Sequence, residues 1–124
     1  MLRDDLLIRQ IRKLLQGMLQ AVRLRRAKDA ARAEHTLDDI LAGELGLSPA
    51  MVRALTADTL LDLLSPGGEL DRERTLALGL VLAERARASL AKDAPLEADL
   101  TRAKARALLE AAGAEDVDLL LDDE

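Results

Sequence analysis

The chain has 124 residues and a formal net charge of −5, and it contains no cysteine, phenylalanine, tyrosine or tryptophan. A core without aromatic side chains must be built from Leu, Ala, Val, Ile and Met, which favours close helix contacts over a sheet and predicts an all-α fold. The absence of rings removes the usual stacking platforms for single-stranded nucleic acid, and the absence of thiols excludes disulfides and cysteine metal sites.

The sequence pattern predicts a cytoplasmic protein. The apolar runs are short and interrupted by charges, so we expect no membrane-spanning segment and no membrane attachment. The opening stretch MLRDDLLIRQIRK carries acidic residues at once and has no uninterrupted apolar core followed by a cleavage site. No secretory signal is therefore predicted.

The first predicted helix runs from about Leu2 to about Arg26 and is amphipathic and basic. Residues 1–33 hold nine basic and three acidic residues, about +6, whereas the remainder holds nine and twenty, about −11. Gly17 in the helix interior indicates either that another backbone approaches closely or that glycine is merely tolerated there, and we favour the close approach. The apolar stripe of this helix comprises Leu7, Ile11, Leu14, Met18 and Ala21, flanked by Ile8, Leu15, Leu19 and Val22.

Seven cations lie on this helix or just after it: Arg9, Arg12, Lys13, Arg23, Arg25, Arg26 and Lys28. Four of them share a broad face, and the last three cluster at the helix C-terminus, where the helix dipole favours positive charge. They form either a face that binds an anionic partner or a solvated face that pairs with acidic segments. We favour the second interpretation.

One longer helix and two short helical segments are predicted between Asp29 and Leu64. A second helix is capped by Asp29, reaches about Leu45 and stops at Gly46, with Ala30, Ala33, Leu37, Ile40, Leu41 and Leu45 on one side. Ser48 and Pro49 begin another helix, whose inward residues are Met51, Val52 and Leu55. Thr56 or Asp58 caps one more short turn through Leu64. The segment SPGG, residues 65–68, is the clearest break in the chain.

Two long helices are predicted for the C-terminal half. The first begins at Leu70 and Asp71 and continues to about Ala91, and TLALGLVLA at 75–83 is apolar almost all round, as in a helix at the middle of a fold. The second runs from Pro95 to Ala112 and ends at Gly113, and its predicted buried residues are Leu96, Leu100, Ala103, Ala107, Leu108 and Ala111. A short turn joins them, so residues 70–112 form an antiparallel hairpin.

This hairpin resembles a tetratricopeptide-type helix pair. Ala86, Ala98 and Ala105 stand at spacings similar to the three small positions of that repeat, and Leu82 stands at a large apolar position. The order of a long N-terminal helix, LGLSP, LLSPGGELDRER and the hairpin also resembles a group of uncharacterised bacterial helical proteins with a tetratricopeptide-like tail. The first resemblance implies protein–protein contact through stacked helices, and the second implies a fold and no activity.

A competing motif is LAGELGLSPAMVRAL, residues 41–55, which resembles a helix-turn-helix. Its second helix would offer DNA the residues Pro49, Ala50, Arg53 and Ala54, of which only arginine is a cation. Asp58 and Asp62 follow and would repel the phosphate backbone. We favour the interpretation that this segment is a structural corner. Exposure of those four residues on a protruding helix would favour DNA recognition. Their burial under the hairpin would favour a scaffold.

The tail DVDLLLDDE, residues 116–124, is both acidic and apolar. It either docks on the basic first helix, within the chain or in a partner subunit, or frays as a solubilising tail. It lacks the spaced ligands and turn glycine of a calcium loop. The single histidine, His35, is predicted to be a surface residue.

No motif for catalysis, phosphate binding or dinucleotide binding is recognised, so we predict no enzyme, no cofactor and no metal. The predicted architecture is one domain, 1–124, of five or six helices in antiparallel hairpins. Its parts are an N-terminal hairpin at 1–46, short helices and the SPGG turn at 47–68, a tetratricopeptide-like hairpin at 69–113 and an acidic tail at 114–124. The predicted function is a protein interaction or scaffold module that self-associates as a dimer, and the alternative is a DNA-binding regulator using residues 37–55.

Overall fold

The computed structural model describes residues 2–122, with side chains from Arg9 onward. This part of the chain is all-helical and contains no strand, so the all-α prediction is confirmed. It forms seven α-helices rather than five or six, because the acidic tail folds into a short helix of its own. They are α1 (Leu2–Arg26), α2 (Ala30–Gly43), α3 (Pro49–Ala54), α4 (Ala57–Leu63), α5 (Arg72–Ala91), α6 (Pro95–Ala111) and α7 (Val117–Leu120), with one 3₁₀ turn at Pro66–Gly68.

Most helix starts are set by side-chain caps. At four of them a short polar side chain accepts a hydrogen bond from the backbone N–H three residues later, which satisfies a donor that the first helical turn leaves unpaired. The predicted caps Asp29, Ser48 and Thr56 are confirmed, and Asp71 caps α5 in the same way. Pro49 and Pro95 stand in the first turn of α3 and α6. Local sequence therefore fixes where these helices begin.

Helix α5 lies at the centre of the fold. It packs along α6, on α2 and on α1, and most of its residues between Thr75 and Ser89 are buried, as the apolar run at 75–83 predicts. Helix α1 packs along α2, whose predicted inward residues are all buried. The largest fully buried side chains are leucines, so branched aliphatic packing supplies the core in the absence of rings.

Two glycines mark close helix contacts. A Cβ atom on Gly79 would lie 2.7 and 2.8 Å from Cδ2 and Cγ of Leu109 and 3.4 Å from the Leu109 backbone nitrogen. A Cβ atom on Gly17 would lie 2.8 Å from Cδ1 of Ile40. The close approach predicted at Gly17 is therefore real, but the approaching group is a side chain of α2 rather than a backbone.

The predicted inward face of α6 is wrong except at Leu108, which is buried as predicted. Leu96, Leu100, Ala103 and Ala111 are exposed, and Ala107 is half-buried. The residues that face α5 are Ala98, Ala105, Leu108 and Leu109. Helix α6 carries two apolar stripes, and the stripe of Ala98, Ala105, Leu108 and Leu109 packs on α5, where Gly79 leaves room for Leu109.

Smaller corrections concern α2, α3 and the tail. Helix α2 ends at Gly43 rather than near Leu45, and Gly46 adopts a positive φ of 65° in the loop that follows. Met51 is exposed, whereas Val52 is buried as predicted. The chain after α6 turns at Gly113, forms α7 and buries Leu121 against the core, so the described part of the tail is packed rather than frayed.

Candidate interaction surface

The predicted basic face of α1 is only partly a surface. Arg9, Arg12, Lys13 and Arg23 have exposed side chains. Lys28 is also exposed and has a positive φ of 65° in the turn to α2, and Arg26 is exposed and makes a further interaction. Arg25 is different, because its side chain turns into the molecule. The structure therefore leaves a smaller basic face than the sequence predicts.

Arg25 binds the buried carboxylate of Glu84 in the middle of α5. Its Nε lies 2.5 Å from Oε2 and its Nη2 lies 3.3 Å from Oε1, so the guanidinium engages both oxygens. Glu84 is 1% exposed, and Nη1 of Arg87, one turn later, lies 3.3 Å from Oε1. Two cations thus compensate one buried anion, as burial of a charge requires. The inward turn of Arg25 corrects its assignment to the outer basic face.

Arg87 also holds the C-terminal tail. Its Nε donates to the backbone carbonyl of Asp122 at 2.6 Å, and its Nη2 donates to that of Leu120 at 2.5 Å. Arg106 of α6 forms an ion pair with Asp118 at 2.8 Å. The described part of the tail therefore docks on the C-terminal hairpin rather than on the basic face of α1, and residues 123–124 of the predicted tail lie outside the described residues.

A second ionic cluster joins α2 to α5. Arg85 donates to the carboxylate of Asp38 and to the backbone carbonyl of Glu34, and the Glu34 carboxylate accepts from Ser89 Oγ at 3.3 Å. Lys92 donates to Glu34 Oε1 at 2.9 Å. This hydrogen bond raises the pKa of Lys92 and outweighs the opposing effect of burial. The cluster fixes the register of α2 against the hairpin.

The middle of α1 exposes a stripe of large aliphatic side chains. Ile11, Leu15 and Leu19 recur every four residues, and Leu15 is 61% exposed. These three residues are called the α1 ridge below. Leu15 and Leu19 were predicted to flank the buried stripe, whereas Ile11 was predicted to belong to it, so its exposure corrects that prediction. The ridge lies along one edge of the α1 face that packs on the core through Leu14, Met18 and Ala21.

An apolar groove of about 580 Å³ lies beside this ridge. We call it the α1–α5 groove. Its apolar walls are formed by Ile11, Leu14 and Leu15 of α1, by Leu45, and by Leu76, Ala77 and Leu80 of α5. Its polar lining comprises Gln10, Glu44, Asp71, Glu73 and Arg74, and the Arg74 guanidinium donates to the Leu45 carbonyl from Nη2 at 2.6 Å. Sequence reasoning missed this groove because its walls come from distant segments, although Leu76 and Leu80 at i and i+4 were a signal.

A second exposed stripe follows the outer side of α6. Leu96 and Leu100 are 80% and 74% exposed, and Ala103, Ala107 and Ala111 continue the line at helical spacing. We call this set the α6 stripe. It lies on the face of α6 opposite the alanines that contact α5. Large leucines side by side in solvent are uncommon unless a partner covers them.

The helix-turn-helix candidate forms a helix of only six residues, α3. Ala50, Arg53 and Ala54 are exposed and Pro49 is half-buried, so the hairpin does not cover this segment. Arg53 Nη1 lies 3.6 Å from the Asp38 carboxylate. Nζ of Lys104 donates to the carbonyls of Val52 and Arg53 at 2.8 and 3.2 Å, and burial lowers the pKa of Lys104.

Other features concern possible ligands. His35 is exposed, as predicted. In the described part of the chain, no group of three or more acidic or histidine side chains is placed to share a metal ion. Each buried side-chain nitrogen or oxygen there has a hydrogen-bond partner, and no helix there is long and apolar enough to cross a membrane.

Comparison of the chain with protein-family models, curated proteins and solved structures finds no match.

Proposed function

We propose that this chain is a non-enzymatic protein–protein interaction or scaffold module of the cytoplasm. The observation that carries the proposal is the alignment of exposed leucines and isoleucine into two stripes, the α1 ridge and the α6 stripe. Single exposed apolar residues need no explanation, whereas contiguous ones mark contact surfaces. Both stripes lie on helices whose other face is firmly packed, so they present a preformed surface at little ordering cost.

The proposal includes a tetratricopeptide-like arrangement of α5 and α6. It is supported by the burial of Ala86, Ala98 and Ala105, the three residues at the small positions of that repeat. Ser89 and Arg102 stand where the repeat carries bulky rings, and Ser89 is buried as a partner of Glu34. Repeats of this type bury their outer helix faces against a neighbour, and an unstacked final helix leaves a stripe such as that on α6.

Site-specific photocrosslinking in the native host tests this function. A photoreactive residue at Leu15 or Leu100 should form defined protein adducts, because a partner covers those positions. The same residue at Asp62, which is exposed on α4 away from both stripes, is the matched control. Adducts that appear at the leucines, disappear with Leu19→Lys or Leu96→Lys respectively and stay absent at Asp62 support the proposal. Absence of protein adducts at both leucines would overturn it.

A DNA-binding regulator is the second candidate, because Ala50, Arg53 and Ala54 are exposed as that function requires. The charge of the segment opposes it, since Arg53 is the cation on α3 and lies near Asp38. Binding to mixed duplex DNA, measured by fluorescence anisotropy at low and high salt, decides between the two. Salt-sensitive binding that Arg53→Ala weakens at least tenfold would favour the regulator. DNA binding that Arg53→Ala leaves unchanged would rule out the DNA-binding regulator.

A further inference from the structure

The α1 ridge and the α1–α5 groove are neighbours on one face of the molecule. The ridge is convex and spans nine residues of helix, about 12 Å along the axis from the first to the last. The groove is concave and apolar along its floor, and Ile11 and Leu15 belong to both. A projecting ridge next to a groove is the arrangement that lets two identical surfaces interlock, each ridge entering the groove of the other copy.

The charges around the two features are complementary. The cations Arg12 and Arg23 flank the ridge on its outer side, with Arg9 and Lys13 further round α1, and all four are exposed. The carboxylates of Glu44, Asp71 and Glu73 line the groove, where the single cation in the lining is Arg74. Arg74 directs its guanidinium to the Leu45 carbonyl. A basic ridge therefore faces an acidic groove when two copies meet, which orients the pair and favours its association.

We propose that the occupant of the α1–α5 groove is the α1 ridge of a second copy of this chain, in a two-fold symmetric dimer. The same contacts then form twice, Leu15 of each copy lies against Leu76 and Leu80 of the other, and Arg12 of each copy lies near Glu73 of the other. Because ridge and groove adjoin on one face, the contact closes on itself and does not extend into a filament. This inference rests on the proposed interaction function and leaves the α6 stripe free for a different protein.

Sedimentation velocity and light scattering of the full chain over a range of concentrations test the dimer. Leu15→Lys should weaken association about 100-fold or more, because two buried leucines per dimer are replaced by charges. Leu100→Lys is the matched control on the α6 stripe and should leave the dimer intact. Circular dichroism checks that both variants keep the helical fold.

Charge reversal tests the orientation. Arg12→Glu and Glu73→Lys should each weaken the dimer about tenfold, since each reversal occurs twice in a symmetric pair, and the double variant should recover most of the loss. Higher salt should weaken the wild-type dimer and have a smaller effect on each single variant. A double variant as weak as the singles would overturn the proposed pairing.

Three other outcomes would overturn the inference. The first is a chain that stays monomeric at every concentration, and the second is a dimer that Leu100→Lys breaks and Leu15→Lys does not. The third is a monomer that binds anionic phosphatidylserine vesicles through Leu15, which would make the ridge a lipid-binding face. Crosslinking at Leu100 tests the interaction function separately. A chain that is monomeric but forms protein adducts at Leu100 would overturn the proposed dimer and still support the proposed interaction function.

Discussion

The middle and the C-terminal end of α1 differ sharply although they form one continuous helix. At the C-terminal end Ala21 is fully buried and Arg25 is bound to the buried carboxylate of Glu84. In the middle Ile11 and Leu15 lie exposed beside a groove. Both parts have the periodicity of an amphipathic helix, so the difference comes from what the rest of the chain supplies. The packed end anchors the helix, and the open middle is available to a partner.

The largest effect on stability should come from removing the buried carboxylate that Arg25 of α1 binds. Glu84→Gln keeps the size of the side chain and leaves Arg25 and Arg87 without their shared anion. The free energy of unfolding should fall by about 3–5 kcal/mol, because buried guanidinium groups then lack compensation. Urea denaturation followed by circular dichroism measures it. Glu110→Gln, at an exposed position on α6, is the control and should stay within about 0.5 kcal/mol. A Glu84→Gln loss below 1 kcal/mol would show that the anchor does not hold α1.

The glycine contacts provide a second, smaller test. Gly79→Ala places a Cβ against Cγ and the backbone nitrogen of Leu109, which cannot move without shifting α6. Overpacking of about 1–3 kcal/mol, reduced by a helix-propensity gain of about 1 kcal/mol, should give a net loss of about 0–2 kcal/mol. Gly17→Ala meets the outer atoms of Ile40, which rotate more freely, so its loss should be smaller. Equal losses, or a larger loss at Gly17, in the same urea measurement would contradict this ranking.

Local sequence signals predicted much of the fold. The caps at Asp29, Ser48 and Thr56 and the apolar run in α5 depend on short-range chemistry, and the structure confirms them. The inward face of α6 could not be chosen from sequence, because Leu96 and Leu100 look as suitable for a core as Leu108 and Leu109. The choice depended on the close fit of Ala98 and Ala105 to α5, which is a tertiary property.

The candidate surface was less predictable than the fold. The sequence indicated a basic α1 but not that Arg25 turns inward, because its partner Glu84 is 59 residues away. It also gave no reason to place Leu76 and Leu80 beside Ile11, since a groove arises from the relative position of three helices. The exposed part of α1 could not be recognised, because the sequence of α1 does not show which of its apolar residues the other helices cover.

The Lys92 contact tests the packed region with a smaller effect. The hydrogen bond to Glu34 raises the pKa of Lys92 above its ordinary value of 10.5, and Glu97 adds to this whereas nearby Arg85 opposes it. The stabilising effect of Lys92 is therefore complete below pH 10.5 and is lost as the pH rises through the raised pKa. The difference in unfolding free energy between wild type and Lys92→Met should shrink over that range. The lowered pKa of Lys104 has the opposite effect on the pH dependence of stability. Because Lys104 is present in both proteins, its contribution cancels from the difference in unfolding free energy. A difference that grows with pH would contradict the assignment.

The smallest effect on intrinsic stability should come from the open middle of α1. In dilute protein Leu15→Lys should change the free energy of unfolding by no more than about 0.5 kcal/mol, because its side chain is mostly in solvent already. At high concentration the wild type should gain thermal stability by mass action if the ridge is covered by a second copy, and Leu15→Lys should not. A loss above 1 kcal/mol in dilute Leu15→Lys would mean that Leu15 packs within its own chain. The middle and the C-terminal end of α1 would then both be anchored, and the contrast between them would disappear.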